Sequence, residues 1–294
     1  MASRAAEQVM GARRLIVPAN GLEFEVFEAG EGEKLALLLH GFPQHAVSFR
    51  HQFPCLMRLG YRVWAVNQRG YGGTSRPKDR AAYGLSHLTG DVAALIDASG
   101  LRSVLLIGHD WGGLVAWTFA IQRLRPLEKL IILNVPHPLC FRRALKSFRQ
   151  GCRSWYIGFF QIPYLPERLL GAEKGRLLAF IMRRDASRPD AFPEDVLAIY
   201  RANVSAPGAA GAMLNWYRGA GLDILAAKDL ATPIEVPTLI IWGDRDVALD
   251  ISSLNGTGDY VRDLRIARLP GVSHWVQEDA PEEVNRQIEA FVRG

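Results

Sequence analysis

The chain has 294 residues, of which 49% are hydrophobic and 22% charged, a composition that leaves little room for intrinsic disorder. Its 35 Lys and Arg residues are interleaved with 30 Asp and Glu residues, and the net charge of +5 forms no basic block, so nucleic-acid binding is not indicated. The three cysteines, Cys55, Cys140 and Cys152, are an odd number without metal-binding spacing, which favours a reducing compartment over a disulfide framework or a zinc site.

The N-terminus and the apolar stretches indicate a cytoplasmic protein. No apolar run precedes Leu15, which argues against a signal peptide. No stretch approaches the roughly 20 apolar residues that a membrane span needs. The length admits either one large α/β domain or a core domain with an inserted one, because about 100–200 residues per domain is only a soft prior.

Short apolar runs predict eight strands. The first two form a hairpin at Leu15–Pro18 and Leu22–Glu28, around the strong turn signal Asn20-Gly21. The other six are predicted at Lys34–His40, Arg62–Asn67, Ser103–His109, Lys129–Val135, Pro237–Gly243 and Leu264–Pro270. The middle runs are nearly continuous in apolar residues, as strands buried on both faces of a parallel sheet are.

Amphipathic segments between these strands predict helices at His45–Leu59, Leu85–Ser99, Trp111–Arg123 and Val276–Val292. This alternation predicts an α/β fold with a mostly parallel sheet flanked by helices. The region from Pro138 to Lys228 has aromatic clusters, scattered prolines and no clear buried strand. We therefore predict a core in two pieces, 1–137 and 229–294, with a helical lid at 138–228 inserted between the sixth and seventh strands.

Glycines surround Asp110 in the run Gly108-His109-Asp110-Trp111-Gly112-Gly113, which follows a predicted strand and precedes a predicted helix. This is the setting of a nucleophile elbow, a strained turn that projects its central side chain. An aspartate in that position is also a common helix N-cap. At this point both interpretations of Asp110 stay open.

A second motif, His40-Gly41-Phe42-Pro43, follows the third predicted strand. The Phe42 N–H could point at the same place as the Trp111 N–H, and the two would form an oxyanion hole. We expect His40, at the end of a buried strand, to be structural rather than catalytic.

A catalytic triad would add an acid and then a histidine at the ends of later strands. Asp244 and Asp246 follow the seventh strand, and His274 follows the eighth as the only histidine after His137. We favour Asp246 over Asp244, which suits a turn or a surface partner of Arg245. The order Asp110, Asp246, His274 then corresponds to nucleophile, acid and base.

These motifs resemble the α/β-hydrolases of the epoxide hydrolase branch, and the likeness runs from Leu15 to the C-terminus. Members of that branch and the haloalkane dehalogenases have an aspartate nucleophile followed by Trp, as in Asp110-Trp111. Asn67 stands where the family often has Asp. His137, in the segment that leads into the lid, is expected to be a hinge residue and not a ligand.

Soluble epoxide hydrolases carry two lid tyrosines, and this chain has similar segments at Tyr156–Gln161 and Leu214–Arg218. The resemblance implies that Tyr156 and Tyr217 bind the epoxide oxygen and supply a proton. A phenol suits this task because it stays un-ionised at neutral pH. We expect two other tyrosines, Tyr164 and Tyr200, to serve in lid packing.

The resemblance implies hydrolysis of a small apolar epoxide to a vicinal diol, without metal or organic cofactor. Asp110 would form an alkyl ester, and His274, oriented by Asp246, would activate the water that cleaves it. Phe42, Trp111, Tyr156 and Tyr217 would contact the substrate. The resemblance is compatible with a monomer or a homodimer.

The main alternative is a haloalkane or haloacid dehalogenase with the same nucleophile. The first needs neutral N–H donors for halide, of which Trp111 is one, but has no use for two phenols. The second needs arginines beside the nucleophile, where this chain has Trp111. Asp at position 110 disfavours a serine esterase, and a non-catalytic binding protein of this fold would be expected to have lost a triad residue.

Overall fold

Eight strands form one sheet in this computed structural model, which describes residues 2–227 and 229–294. They are β1 (Arg13–Ala19), β2 (Leu22–Ala29), β3 (Lys34–Leu39), β4 (Tyr61–Val66), β5 (Ser103–His109), β6 (Lys129–Leu133), β7 (Thr238–Gly243) and β8 (Leu264–Leu269). Their order is β1-β2-β4-β3-β5-β6-β7-β8. Among the described residues the pairings of β2 with β1 and β4 are antiparallel and the other five are parallel, so the predicted eight-stranded, mostly parallel sheet is confirmed.

Fourteen α-helices accompany the sheet within the described ranges. They are α1 (Ala2–Met10), α2 (Phe53–Arg58), α3 (Leu85–Ser99), α4 (Trp111–Gln122), α5 (Pro138–Ala144), α6 (Phe148–Arg153), α7 (Trp155–Phe159), α8 (Leu165–Gly171), α9 (Arg176–Asp185), α10 (Glu194–Ser205), α11 (Ala209–Arg218), α12 (Ala220–Ala226), α13 (Val276–Asp279) and α14 (Pro281–Arg293). The structure adds α1, which the sequence did not predict, and α1 packs against α10.

Two segments that were predicted as single helices are each divided into two elements in the structure, and each contains a proline near the division. In place of one helix at His45–Leu59 there is a 3-10 turn, Ala46–Phe49, and then α2 with Pro54 in its first turn. In place of one helix at Val276–Val292, α13 ends and α14 begins at Pro281. Proline lacks the N–H that a helix interior uses and is tolerated in the first turn, so each proline lies in the first turn of a new helix.

The segment between β6 and β7 is helical, and the part from 138 to 227 contains α5 to α12 and no strand. We call residues 138–227 the lid. The domain limits 1–137, 138–228 and 229–294 stay a prediction, and residues 1 and 228, at two of these limits, lie outside the described residues. None of the described helices has the length and apolar character needed to cross a membrane.

The sheet positions the site through its central strands. β3, β5, β6 and β7 are buried over almost their whole length. Because their carboxyl ends lie at one edge, the loops that leave them meet there, where ligands bind in open α/β sheets.

Candidate active site

Asp110 lies in a strained turn between β5 and α4, with φ 49° and ψ −120°. Positive φ is uncommon for a residue other than glycine. Its side chain makes no capping hydrogen bond to α4, so the geometry does not support a role as helix N-cap. The side chain is instead projected toward the loops at the carboxyl edge of the sheet.

The glycines around Asp110 let backbone segments approach closely. A Cβ at Gly112 would lie 2.1 Å from the Leu39 carbonyl oxygen, and one at Gly108 would lie 2.5 Å from the Gly112 oxygen. A Cβ at Gly41 would lie 2.4 Å from the Asp110 Cβ. These separations are shorter than real contacts, so the turn and the loop after β3 fit together only without side chains at these positions.

The Asp110 carboxylate has two different oxygens. Oδ1 accepts a hydrogen bond of 2.8 Å from the Phe42 N–H, and the Trp111 N–H also stabilises the carboxylate. Oδ2 lies 3.6 Å from Nε2 of His274. The Phe42 N–H, one of the two predicted oxyanion-hole donors, therefore faces one oxygen, and the predicted base faces the other.

His274 joins Asp110 to Asp246. Its Nδ1 lies 2.6 Å from Oδ2 of Asp246, whose other oxygen accepts hydrogen bonds of 2.8 Å from the N–H groups of Ala248 and Leu249. Asp244, the acid that we disfavoured, is exposed and accepts a bond from the Gly271 N–H at 2.7 Å. Asp246 is thus the acid that the structure places beside His274.

The charges of these groups depend on one another. Burial alone would lower the pKa of His274, but the carboxylates of Asp246 and Asp110 raise it from 6.5 to about 10. Burial alone would raise the pKa of Asp110, but its contacts with His274 hold that pKa below its usual value. At neutral pH the site therefore contains an imidazolium between two carboxylates.

Tyr156 and Tyr217 lie together across the cavity from the sheet. Their ring centroids are 6.0 Å apart, and the Tyr217 ring packs edge-on against Trp111 at 4.9 Å and against Phe42 at 5.2 Å. Burial, reinforced by the charge of Asp110, raises the pKa of both phenols. Both are therefore neutral hydrogen-bond donors at physiological pH.

Two apolar cavities meet at Asp110, Tyr156 and Tyr217, which line both of them. The first has a volume of about 310 Å³, and its wall includes Leu114 and Ile224. The second has a volume of about 460 Å³ and includes Phe42, Phe160, Met182 and His274, with Arg153 and Asp185 as polar members of its wall. From Asp110 the cavity space therefore extends in two directions.

Two residues that sequence reasoning missed position the acid. Nδ2 of Asn134 donates to Oδ2 of Asp246 at 2.7 Å, and Asn134 has a φ of 42° directly after β6. From the lid, Gln150 donates to the Ala248 carbonyl at 2.9 Å and accepts from the Asp250 N–H at 2.8 Å. The loop 246–250, which we call the acid loop, is therefore held by the lid as well as by the core.

Three further residues lie outside the reacting groups. His40 is buried, donates through Nδ1 to the Gly41 carbonyl and accepts from the Gln68 N–H, and burial lowers its pKa to about 3, so it is a structural residue. The expectation that Tyr164 packs in the lid is wrong, since it is 78% exposed. Tyr200 is buried as expected, and its hydroxyl also donates to Glu278.

Comparison with known proteins places this site in a family. A family model described as alpha/beta hydrolase fold matches residues 36–281. The chain is 35% identical to Epoxide hydrolase 1 of Caenorhabditis elegans over 90% of its own length and 66% of that protein. It is 32% identical to Epoxide hydrolase A of Mycobacterium tuberculosis over 95% of its own length and 97% of that protein.

Solved structures give the same result. The crystal structure of an epoxide hydrolase from Vigna radiata superposes with a TM-score of 0.85 at 29% identity, covering 96% of this chain and 98% of that one. The chain therefore belongs to the α/β-hydrolase family and, within it, to the epoxide hydrolases.

Proposed function

We propose that the protein hydrolyses epoxides to vicinal diols through an ester formed on Asp110. The observation that carries the proposal is the meeting of a carboxylate nucleophile with two neutral phenols in one apolar site. Opening an epoxide develops negative charge on its oxygen, and a positioned phenol can donate a proton to it. A carboxylate alone could not open the ring as readily, because the ring oxygen would become an unprotonated alkoxide.

In the first half-reaction Oδ2 of Asp110 attacks a ring carbon. The new C–O bond forms as the ring C–O bond breaks, and Tyr156 or Tyr217 gives its proton to the ring oxygen. Positioned acid catalysis of this kind contributes about 10²–10⁴-fold. Oδ1 keeps its hydrogen bond from the Phe42 N–H and becomes the carbonyl oxygen of the ester.

Ester formation also prepares His274 for the second half-reaction. Esterification removes the negative charge of Asp110, which is one of the two charges that raise the pKa of His274. The pKa of His274 therefore falls, and its proton becomes available to the tyrosinate left by the first step. The neutral imidazole that results is a base.

In the second half-reaction His274 takes a proton from water, and the hydroxide adds to the ester carbonyl carbon. The Phe42 and Trp111 N–H groups stabilise the oxyanion, as paired backbone donors do in acyl transfer. The oxyanion collapses, and the diol leaves with the proton from the imidazolium. Asp110 retains one oxygen from water and passes the remaining proton to His274, which restores the carboxylate and the imidazolium.

The two cavities support an apolar substrate. Both are lined mainly by aliphatic and aromatic side chains, and they lie on either side of Asp110 and the two tyrosines. An epoxide with an apolar substituent can place it in either cavity while the ring oxygen contacts the phenols.

A single turnover in ¹⁸O-water tests the proposal. With enzyme in excess over styrene oxide, the first diol should contain no label and the peptide that carries Asp110 should gain one ¹⁸O. Label in the first diol would mean that water opens the ring directly. Absence of any diol, together with halide release from haloalkanes, would replace the proposed function by dehalogenation.

Matched variants assign the steps. Asp110→Ala should form no diol, whereas Asp244→Asn, which changes a nearby exposed acid, should keep its activity. His274→Gln should accumulate the ester and gain the mass of one substrate molecule. A His274→Gln protein that turns over normally would remove His274 from the mechanism.

A further inference from the structure

Exposed apolar side chains are concentrated on the lid. Of the fifteen large apolar side chains that are exposed among the described residues, eleven lie between 148 and 225. They include aromatic residues that are more than half exposed, such as Trp155 at 68% and Phe180 at 60%. Scattered exposed apolar residues are normal, but a contiguous group of them marks an interaction surface.

Several of these side chains surround the mouth of the larger cavity. Trp155, Leu169, Leu177 and Ile181 are exposed and also line the cavity that contains Asp110 and His274. Phe180 belongs to the same surface, because residues three and four apart on a helix share a face and Phe180 follows Leu177 on α9. The cavity therefore opens to solvent within an apolar surface.

We call Trp155, Tyr164, Leu169, Leu177, Phe180 and Ile181 the lid patch. Tyr164 joins it at the start of α8, where Leu165 and Leu169 lie one turn apart and are both exposed. Trp and Tyr are the side chains that prefer the boundary between water and lipid, since each has an apolar body and a polar tip.

Basic residues accompany the lid patch. The lid, residues 138–227, contains 13 Lys and Arg against seven Asp and Glu, a net charge of +6, whereas the rest of the chain has 22 against 23, a net charge of −1. Arg168 and Arg176 are exposed and adjoin Leu169 and Leu177, and the exposed Arg184 lies near the end of α9. The positive charge of the whole protein is thus located on the lid.

We propose that the lid patch docks on the surface of an anionic lipid bilayer, with the mouth of the larger cavity toward the lipid. Apolar side chains enter the boundary of the bilayer while basic ones bind anionic headgroups, as in proteins that lie on a membrane without crossing it. Two copies of the lid, each with a charge of +6, would repel each other across the same surface, which disfavours a dimer there.

The position of the mouth connects this surface to the chemistry, and this part rests on the proposed function. An apolar epoxide partitions into lipid, so a cavity that opens toward the bilayer receives substrate from the phase in which it is concentrated. Membrane binding itself needs no substrate. The two proposals can therefore fail separately.

Co-sedimentation of the full chain with vesicles tests the docking surface in the absence of any epoxide. We expect binding to phosphatidylcholine vesicles that contain about one third phosphatidylserine, weaker binding to pure phosphatidylcholine, and release at high salt, because salt screens these attractions. Arg168→Glu/Arg184→Glu should weaken binding more than about tenfold, since each basic residue near an anionic surface contributes about fivefold. Phe180→Ser/Tyr164→Ser should also weaken it.

The matched controls change exposed residues outside the lid. Arg102→Glu and Ile16→Ser should bind vesicles like the unaltered protein, and all variants should form diol from dissolved styrene oxide at the unaltered rate. No co-sedimentation, or equal losses in lid and core variants, would overturn the proposal. A dimer in analytical ultracentrifugation that Phe180→Ser/Tyr164→Ser dissociates, with vesicle binding unchanged, would assign the lid patch to self-association instead.

Discussion

The Phe42 N–H donates a hydrogen bond of 2.8 Å to Oδ1 of Asp110, so the two carboxylate oxygens have different roles before any substrate is bound. In the proposed mechanism Oδ1 becomes the carbonyl oxygen of the ester, and Oδ2 faces His274 at 3.6 Å. The site therefore needs little rearrangement between ring opening and ester hydrolysis, which is how preorganised donors lower a barrier.

Gly41→Ala tests this arrangement. The new Cβ would lie 2.4 Å from the Asp110 Cβ, so either the Phe42 N–H or the nucleophile must move. We expect kcat/KM for styrene oxide to fall by about 10²-fold or more, the loss typical of one oxyanion donor. Gly211→Ala, where a Cβ meets nothing within 4 Å, is the control and should keep its activity. Full activity in folded Gly41→Ala, checked by circular dichroism, would contradict the assignment.

Tyr156→Phe and Tyr217→Phe should slow ring opening more than ester hydrolysis, because only the first step develops charge on the epoxide oxygen. The loss in the double variant should reach about 10²–10⁴-fold, the usual range for positioned acid catalysis. Stopped-flow burst kinetics separate the two steps. Tyr164→Phe, which changes an exposed phenol, is the control, and an unchanged burst in the double variant would exclude the two phenols from the reaction.

The stability of the protein should depend on pH through His274. Asp246 and Asp110 raise the pKa of His274 from 6.5 to about 10, so the folded state holds this proton more tightly than the unfolded state. The resulting stability is complete below about pH 6.5 and is lost as pH rises toward 10. Asp110→Asn removes one of the two carboxylate charges, so the pKa of His274 is lower in this variant. The variant should therefore lose less stability than the unaltered protein as pH rises.

Urea denaturation at several pH values between about 6 and 10 measures this dependence. As pH rises over this range, the free energy of unfolding should fall further in the unaltered protein than in Asp110→Asn. The exposed-acid variant Asp244→Asn should show a difference that does not change with pH. Parallel curves for Asp110→Asn would mean that Asp110 does not raise the pKa of His274.

Gln150→Ala should impair the acid loop from the lid side. It removes the hydrogen bonds to the Ala248 carbonyl and the Asp250 N–H, and loss of a buried hydrogen bond costs about 1–3 kcal/mol. We expect ester hydrolysis to slow about tenfold while ring opening changes little, so that ester accumulates in quenched-flow samples. Gln287→Ala on the surface of α14 should behave like the unaltered protein. Equal slowing of both steps would indicate a general loss of structure.

The sequence predicted the fold and the meeting of Asp110, Asp246 and His274 because each follows a buried strand, and the ends of parallel strands lie at one edge. Asn134 and Gln150 could not be found in the same way. They contact the acid loop from segments about one hundred residues away, and such contacts leave no local pattern. The two helices predicted as continuous were wrong for a different reason. The apolar periodicity continues across Pro54 and Pro281, but the helical backbone is interrupted beside each proline.

At Asp110 the strained backbone means that stability and activity favour different residues at one position. The conformation at φ 49° and ψ −120° costs an ordinary residue about 1–3 kcal/mol, and glycine would adopt it at lower cost. Glycine has no carboxylate, so the residue that best suits the turn would leave the protein without its proposed nucleophile. Engineering that selects for thermal stability alone would therefore favour the loss of the enzyme's own reaction.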